Sequence, residues 1–240
     1  LGWPACVAVL FILSAGGAES RGGPAGGADA GPPADVGVTD GGEDASVTVS
    51  VPHKDGCVDL VDAVCIYPYP SMVHLQADAA SETGYRVNLT RTMLPFKEVT
   101  PGSHDAFLAR FNEADGFSIA TPLLAIFPSV HVDELTLPSL ADLGASATAA
   151  SAVQVLDRAT GERLPLWAEM DNYARDKATG AWKDNRRTMM IRPQRALAWN
   201  HRYAVVVTDA AKDDHGVALP SPPAMAALRD GIPTDSDQIE

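Results

Sequence analysis

Cys57 and Cys65 are close enough in the sequence to share a chemical role. The aromatic-proline run YPYPS (Tyr67–Ser71) follows them. Two cysteines this close could form a disulfide, supply half of a zinc site or act as a redox couple. A redox couple usually has the C-x-x-C spacing, which is absent here. A zinc site needs two further ligands, for which His53 and His74 qualify by position only. We therefore predict a disulfide between the two cysteines, with a zinc site and free thiols as the alternatives.

Catalytic signatures are missing from the rest of the sequence. There is no G-x-S-x-G nucleophile motif, no H-x-x-x-H pair and no glycine-rich phosphate loop. Ser103, His104 and Asp105 are the three residue types of a hydrolytic triad, but neighbours in sequence cannot align as nucleophile, base and orienting acid. The acidic runs TDGGED and DAAKDDHG lack the ligand spacing of an EF-hand loop. We therefore predict no catalytic, cofactor-binding or metal-binding residue in this chain.

The charge balance limits the class of partner. The 240 residues carry 18 Lys and Arg against 31 Asp and Glu, a formal net charge of -13. Nucleic acids and anionic membrane surfaces both attract basic patches, and the sequence has no basic stripe interleaved with aromatic residues. We therefore predict that the chain binds no nucleic acid.

The first 18 residues have the pattern of a secretory signal peptide. The apolar run from Ala5 to Leu13 has nine residues, whereas a helix that spans a bilayer needs about 20. Small residues follow the run, and we predict cleavage between Ala18 and Glu19 of a signal peptide whose basic start is absent. The alternative is a frayed apolar tail. Export predicts a secreted or cell-envelope protein without a transmembrane segment, in an oxidising compartment where the two remaining cysteines pair.

Composition and turn signals divide the chain into five parts. Residues 1–18 are the N-truncated signal peptide, and residues 19–52 form a flexible linker of Gly, Ala, Pro and Asp. Residues 53–115 form a disulfide-stapled extended segment with a short helix at HDAFLARF. Residues 116–220 form an Ig-like β-sandwich, and residues 221–240 form a short helix and a connection to a further domain.

The sandwich prediction depends on short strands separated by turn residues. Val153 and Val155 alternate with polar residues, Ala159–Glu162 forms a turn, and the return strand of this hairpin extends to Glu169. Further strands end at prolines, and about 100 residues suit one Ig-like unit. Tyr203 opens a late strand and is predicted to bond to upstream backbone as a tyrosine corner, the alternative being a half-buried core ring. The predicted core contains Ile119, Leu124, Ile126, Val153, Val155, Leu166 and one of the two neighbours Met190 and Ile191.

Several stretches of the sequence resemble a known family. TGYRVNL, FNEADGFSIATPLLAIFP, VLDRATGERLPLWAEMD and MMIRPQRALAWNHRYAVVV look like the N-terminal region of secreted bacterial virulence-factor-type lipases and related α/β-hydrolase-fold lipoproteins of the myxobacterial type. The resemblance covers about Cys57 to Asp230. The chain departs from the lipoprotein relatives because no cysteine follows the apolar run, where a lipid would be attached.

The resemblance implies an Ig-like region that precedes a catalytic α/β-hydrolase domain of the same polypeptide, beyond Glu240. No position here matches the nucleophile, acid or base of that family. The predicted function is therefore a non-catalytic accessory module of a secreted lipase or esterase, with that C-terminal domain as its partner. The alternative is a free-standing Ig-like module of the cell envelope that binds a surface partner through its loops.

Overall fold

The computed structural model describes residues 11–13, 48–51, 53–54, 57–61, 65–94, 100–128, 130–171, 178–179, 187–199 and 201–236, without the side chains of residues 11–13, 53–54 and 57. Within these ranges the chain is mainly β, which confirms the predicted class. The strands are β1 (Phe11–Leu13), β2 (His53–Lys54), β3 (Cys57–Val58), β4 (Leu75–Ala77), β5 (Tyr85–Val87), β6 (Leu123–Ile126), β7 (Val153–Asp157), β8 (Leu166–Met170), β9 (Thr188–Pro193) and β10 (Tyr203–Val207). The α-helices are α1 (Ser103–Phe111), α2 (Leu143–Ser146) and α3 (Pro223–Asp230), and 3-10 helices cover Met72–His74, Arg91–Met93 and Glu134–Thr136.

Two three-stranded antiparallel sheets enclose the main core. Their strand orders are β1-β10-β7 and β6-β9-β8. Because side chains alternate between the two faces of a strand, every second residue of the longer strands points inward. The innermost side chains of both sheets belong to one buried cluster, which includes Val153, Val155, Leu123, Leu166, Met189, Ile191, Val205 and Val207.

The hairpin predicted after Val153 forms only at its tip. Asp157 N–H donates to the Glu162 carbonyl at 2.9 Å, Leu164 N–H donates to the Val155 carbonyl at 2.9 Å, and Gly161 has φ 75 at the turn. The predicted extension to Glu169 is wrong, because β8 pairs with β9 in the other sheet. Pro165 lies at the crossing, and since proline has no N–H it cannot continue the ladder.

Neighbouring positions in two strands show which residue faces the core. Ile191 is 0 % exposed, whereas Met190 is partly exposed, which agrees with the prediction that the two cannot both face the core. The prediction that one of them lies at a bulge or under a loop is wrong, because both residues pair regularly within β9. In β6, Ile126 is buried in the main core as predicted, but the prediction for Leu124 is wrong, because Leu124 is only partly buried and its neighbour Leu123 is fully buried. A one-residue shift moves a side chain to the opposite face of a strand.

A second, smaller core lies in a hairpin–helix unit, residues 65–117. Strands β4 and β5 form the hairpin, and its buried side chains are Cys65, Ile66, Val87, Leu89 and Met93. Asn112, directly after α1, ties this helix to the hairpin: its side chain accepts from Leu89 N–H at 3.0 Å and donates to the Leu89 carbonyl at 2.9 Å. The helix predicted in this segment is therefore present as α1.

The last helix and the first strand lie against the large sheets. Helix α3 begins with Pro223, a favourable first residue for a helix, and its Ala224 and Met225 enter the main core. Strand β1 pairs with the free edge of β10, with Phe11 opposite Val205. The rest of the predicted signal peptide and nearly all of the predicted linker, 19–52, lie outside the described residues, so both stay predictions.

Candidate functional site

The residues of the predicted cysteine site lie in two different elements. Cys65 is buried in the core of the hairpin–helix unit, and the backbone of Cys57 pairs with Lys54 between β3 and β2. The side chains of Cys57 and His53 lie outside the described part of the structure. Across the side chains that are described, no three His, Cys, Asp or Glu residues lie close enough to hold a metal ion.

The Ser-His-Asp neighbours lie at the start of α1. The Asp105 carboxylate forms a salt bridge with Arg91 at 2.6 Å, and this hydrogen-bonded guanidinium holds the pKa of Asp105 below its ordinary value. The His104 ring is buried beside the helix. The carboxylate is thus paired with an arginine rather than held as the orienting acid of a triad.

The best-defined polar cluster joins Asp157, His201 and Tyr203 at one end of the sheets. His201 Nδ1 lies 2.6 Å from Asp157 Oδ2, and the His201 and Tyr203 rings stack with centroids 6.3 Å apart. The Tyr203 hydroxyl accepts from Ala198 N–H at 2.8 Å, so the predicted hydrogen bond to upstream backbone is present. Asp157 and His201 are 44 residues apart, and no short motif links them, which is why sequence reasoning missed the pair.

Asp157 holds the turn that follows β7. Its Oδ1 accepts from Ala159 N–H at 2.8 Å, and the residue is only 4 % exposed. Burial alone raises the pKa of this carboxyl, but the hydrogen bonds from His201 and Ala159 outweigh burial, and the net shift is downward. The described hydrogen bonds of His201 include no serine, threonine or cysteine side chain that could act as a nucleophile. The cluster therefore clamps the loop before β10 onto the β7 turn.

His74 is a second residue whose surroundings shift its pKa. It is 0 % exposed, and neither ring nitrogen has a partner with hydrogen-bond geometry among the described residues. Burial lowers its pKa to about 4, and the nearby Cys65 backbone opposes this shift. The Tyr69 and Phe117 rings lie 6.0 and 6.4 Å from the imidazole. The sequence marked His74 only as a zinc-ligand candidate by position, and burial of the ring could not be inferred from its neighbours.

An open groove between α2 and the start of β7 is lined mainly by hydroxyl and methyl groups. Thr136, Ser139, Asp142 and Thr148 contribute the polar atoms. The only acidic side chain in the lining caps α2, since Asp142 Oδ1 accepts from Ala145 N–H at 3.1 Å. The groove therefore presents no converging group for acid–base or metal chemistry.

Comparison with known proteins gives no match: no family model, curated protein or solved structure matches this chain. Among the helices of the described ranges, none has the length and apolar character needed to cross a bilayer. Function must therefore be argued from the residues and their arrangement.

Proposed function

We propose that this chain is the non-catalytic N-terminal module of a secreted bacterial lipase or esterase, whose α/β-hydrolase domain follows residue 240. The sequence resemblance supports the proposal. Two antiparallel sheets around one core, together with the Tyr203–Ala198 hydrogen bond, support an Ig-like sandwich as its framework.

One observation carries the proposal: the chain enters and leaves the folded unit side by side. Val49 N–H donates to the Pro233 carbonyl at 2.9 Å, and Asp235 N–H donates to the Val49 carbonyl at 3.2 Å. The Asp235 carboxylate also accepts from Val51 N–H and from the Ser50 hydroxyl, each at 2.7 Å. Ends that lie close together at the surface are typical of a module within a longer polypeptide.

These hydrogen bonds between residues 49–51 and residues 233–235 fix the place where the chain leaves the folded unit. Most of the predicted linker, 19–52, precedes Val49, and the chain after Asp235 continues from a point tied to residues 49–51. A domain attached here has a defined position relative to the sheets. A module that positions a catalytic domain needs such a defined point of attachment.

The first test is an esterase assay on the purified chain with short- and medium-chain nitrophenyl esters. We expect hydrolysis at the buffer rate, because the described residues contain no nucleophile held by a base and an orienting acid. Turnover that survives repurification would contradict a non-catalytic module.

The coding sequence supplies the second test. We expect an open reading frame that contains G-x-S-x-G within a few hundred residues after Glu240.

The alternative function is a free-standing envelope or adhesion module. Two large apolar side chains outside the strands are exposed and available to a partner: Leu135, in the 3-10 helix Glu134–Thr136, is 94 % exposed, and Trp199 is 74 % exposed. An in-frame stop directly after Glu240 in an intact genome would favour this alternative over the lipase module.

We also propose that Cys57 and Cys65 form a disulfide. The burial of Cys65 in the core of the hairpin–helix unit supports this pairing. A bridge of this kind would tie β3 to the start of the hairpin–helix unit, just before the aromatic-proline run.

A further inference from the structure

His74 lies where the two cores of the molecule meet. The Phe117 ring packs against both the main core and the core of the hairpin–helix unit, and so does Tyr67. Phe117 lies edge-on to the Tyr69 ring at 5.6 Å and to the imidazole at 6.4 Å. The imidazole is thus enclosed by rings that connect the small unit to the large sheets.

Few polar contacts hold this junction. Tyr69 forms a two-bond bridge with Leu124 of β6, at 3.0 and 2.7 Å, and the Tyr67 hydroxyl lies 2.6 Å from the Thr188 hydroxyl of β9. On the hairpin side, Asn88 N–H donates to the His74 carbonyl at 2.8 Å. Movement of the His74 ring would therefore disturb the Tyr69–Leu124 bridge and the hairpin at the same time.

Among the residues that the structure describes, no charged side chain compensates a positive charge on His74. The ionisable group that faces the ring is the Tyr69 phenol, whose own pKa is raised by burial, so it stays neutral in acid and at neutral pH. Cys65 acts on the ring through its backbone alone. No charged side chain of β4, β5, α1 or the sheets shifts the pKa of His74.

We propose that His74 is an acid-sensitive joint, at which protonation of the enclosed imidazole separates the hairpin–helix unit from the two large sheets. A cation needs water or acceptors for both ring N–H groups, and the Cys65 backbone offsets only part of the effect of burial. In the opened state, water reaches both ring nitrogens. The sheets keep their own core, so the joint opens before the rest of the molecule unfolds.

The direction of the pH effect follows from linkage. In the closed state the pKa of His74 is about 4, against an ordinary value of 6.5, so the opened state binds the proton more readily. The closed state is fully stable above pH 6.5 and becomes less stable as the pH falls towards 4. The equilibrium constant for opening rises by up to about tenfold per pH unit, or about 300-fold in all.

Hydrogen exchange of single amides, corrected for intrinsic rates, tests the proposal on the full chain. Leu124 N–H and Asn88 N–H report on the joint, and Leu164 N–H, which donates to the Val155 carbonyl, reports on the sheets. Between pH 6.5 and 4.5 we expect protection at the joint to fall about 40-fold more than protection at Leu164. Equal loss at all three amides would overturn the proposal, since it would indicate unfolding of the whole molecule.

Two variants separate the imidazole from other acid effects. His74→Phe keeps an aromatic ring but cannot be protonated, so the joint amides should lose their pH dependence. His215→Gln removes a histidine whose side chain is 81 % exposed, and its pH profile should match the parent. The same pH dependence in His74→Phe and the parent chain would contradict the proposal.

A second measurement covers the case in which His74→Phe does not fold. Imidazole NMR signals of the parent chain give the titration midpoint of His74 directly. A midpoint near 4 supports a closed, uncharged ring, and a midpoint near 6.5 would overturn the proposal.

Discussion

Replacement of Asp157 by alanine tests whether the Asp157–His201–Tyr203 cluster holds the end of the sheets together. The carboxylate bonds both the turn after β7, through Ala159 N–H, and the loop before β10, through His201. The D157A substitution removes both carboxylate oxygens of Asp157, which is almost fully buried. The turn amide and the imidazole are then left without their partner.

The magnitude follows from the two bonds. A backbone hydrogen bond contributes about 1 kcal/mol, a bond to a buried charged group contributes about 1.5–3 kcal/mol, and unpaired buried groups carry a further penalty. We therefore expect D157A to lower the free energy of unfolding by about 3 kcal/mol. D157N should cost about 1–2 kcal/mol, because the amide oxygen can still accept from Ala159 N–H.

Urea unfolding followed by tryptophan fluorescence at pH 7 measures both variants. The matched control is E162A in the same turn, because Glu162 forms an exposed pair with Arg195 at 2.7 Å and such pairs contribute about 0–1 kcal/mol. Because the pKa of Asp157 lies below 3.8 in the folded state, the parent chain should also lose this stabilisation as the pH falls below that value. Equal and small effects of D157A and E162A would refute the clamp.

Two further predictions concern the strand and the cysteines. Val205 is 0 % exposed in the main core, whereas Val206 is 6 % exposed on the opposite face of β10. V205D should therefore destabilise the chain by about 4 kcal/mol or more, and V206D by less. Urea unfolding midpoints compare the two variants, and equal, small effects would contradict the assignment of β10 as a strand. Mass spectrometry of the exported protein without reductant should find a disulfide between Cys57 and Cys65. Reduction of this disulfide should lower the free energy of unfolding by about 2–3 kcal/mol. Two free thiols would show that the pairing is wrong.

Local patterns predicted many of the elements correctly. The β-branched run at Tyr203 is β10, the apolar spacing around Phe107 and Phe111 is α1, and the proline-bounded helix near Pro223 is α3. These elements follow from preferences and alternation within a few residues. The two-residue period of a strand also predicted that only one of Met190 and Ile191 faces the core, but not which one.

Pairing between distant strands was not readable from the sequence. The predicted hairpin assumed that the return strand stays beside β7, but β8 joins β6 and β9 in the other sheet. A hairpin and a strand that crosses between sheets have the same local alternation. Only the packing of two sheets around a common core distinguishes them, and that packing depends on residues far apart in the chain.

The sequence by itself determined the mainly β class, the position of most strands and the lack of short catalytic motifs. Tertiary structure decided which polar residues matter, because it brings Asp157 to His201 across 44 positions and encloses His74 between two cores. The physical reason is that alternation and turn propensity act between near neighbours. Burial of an ionisable group, and the shift of its pKa, depend on every element that packs around it.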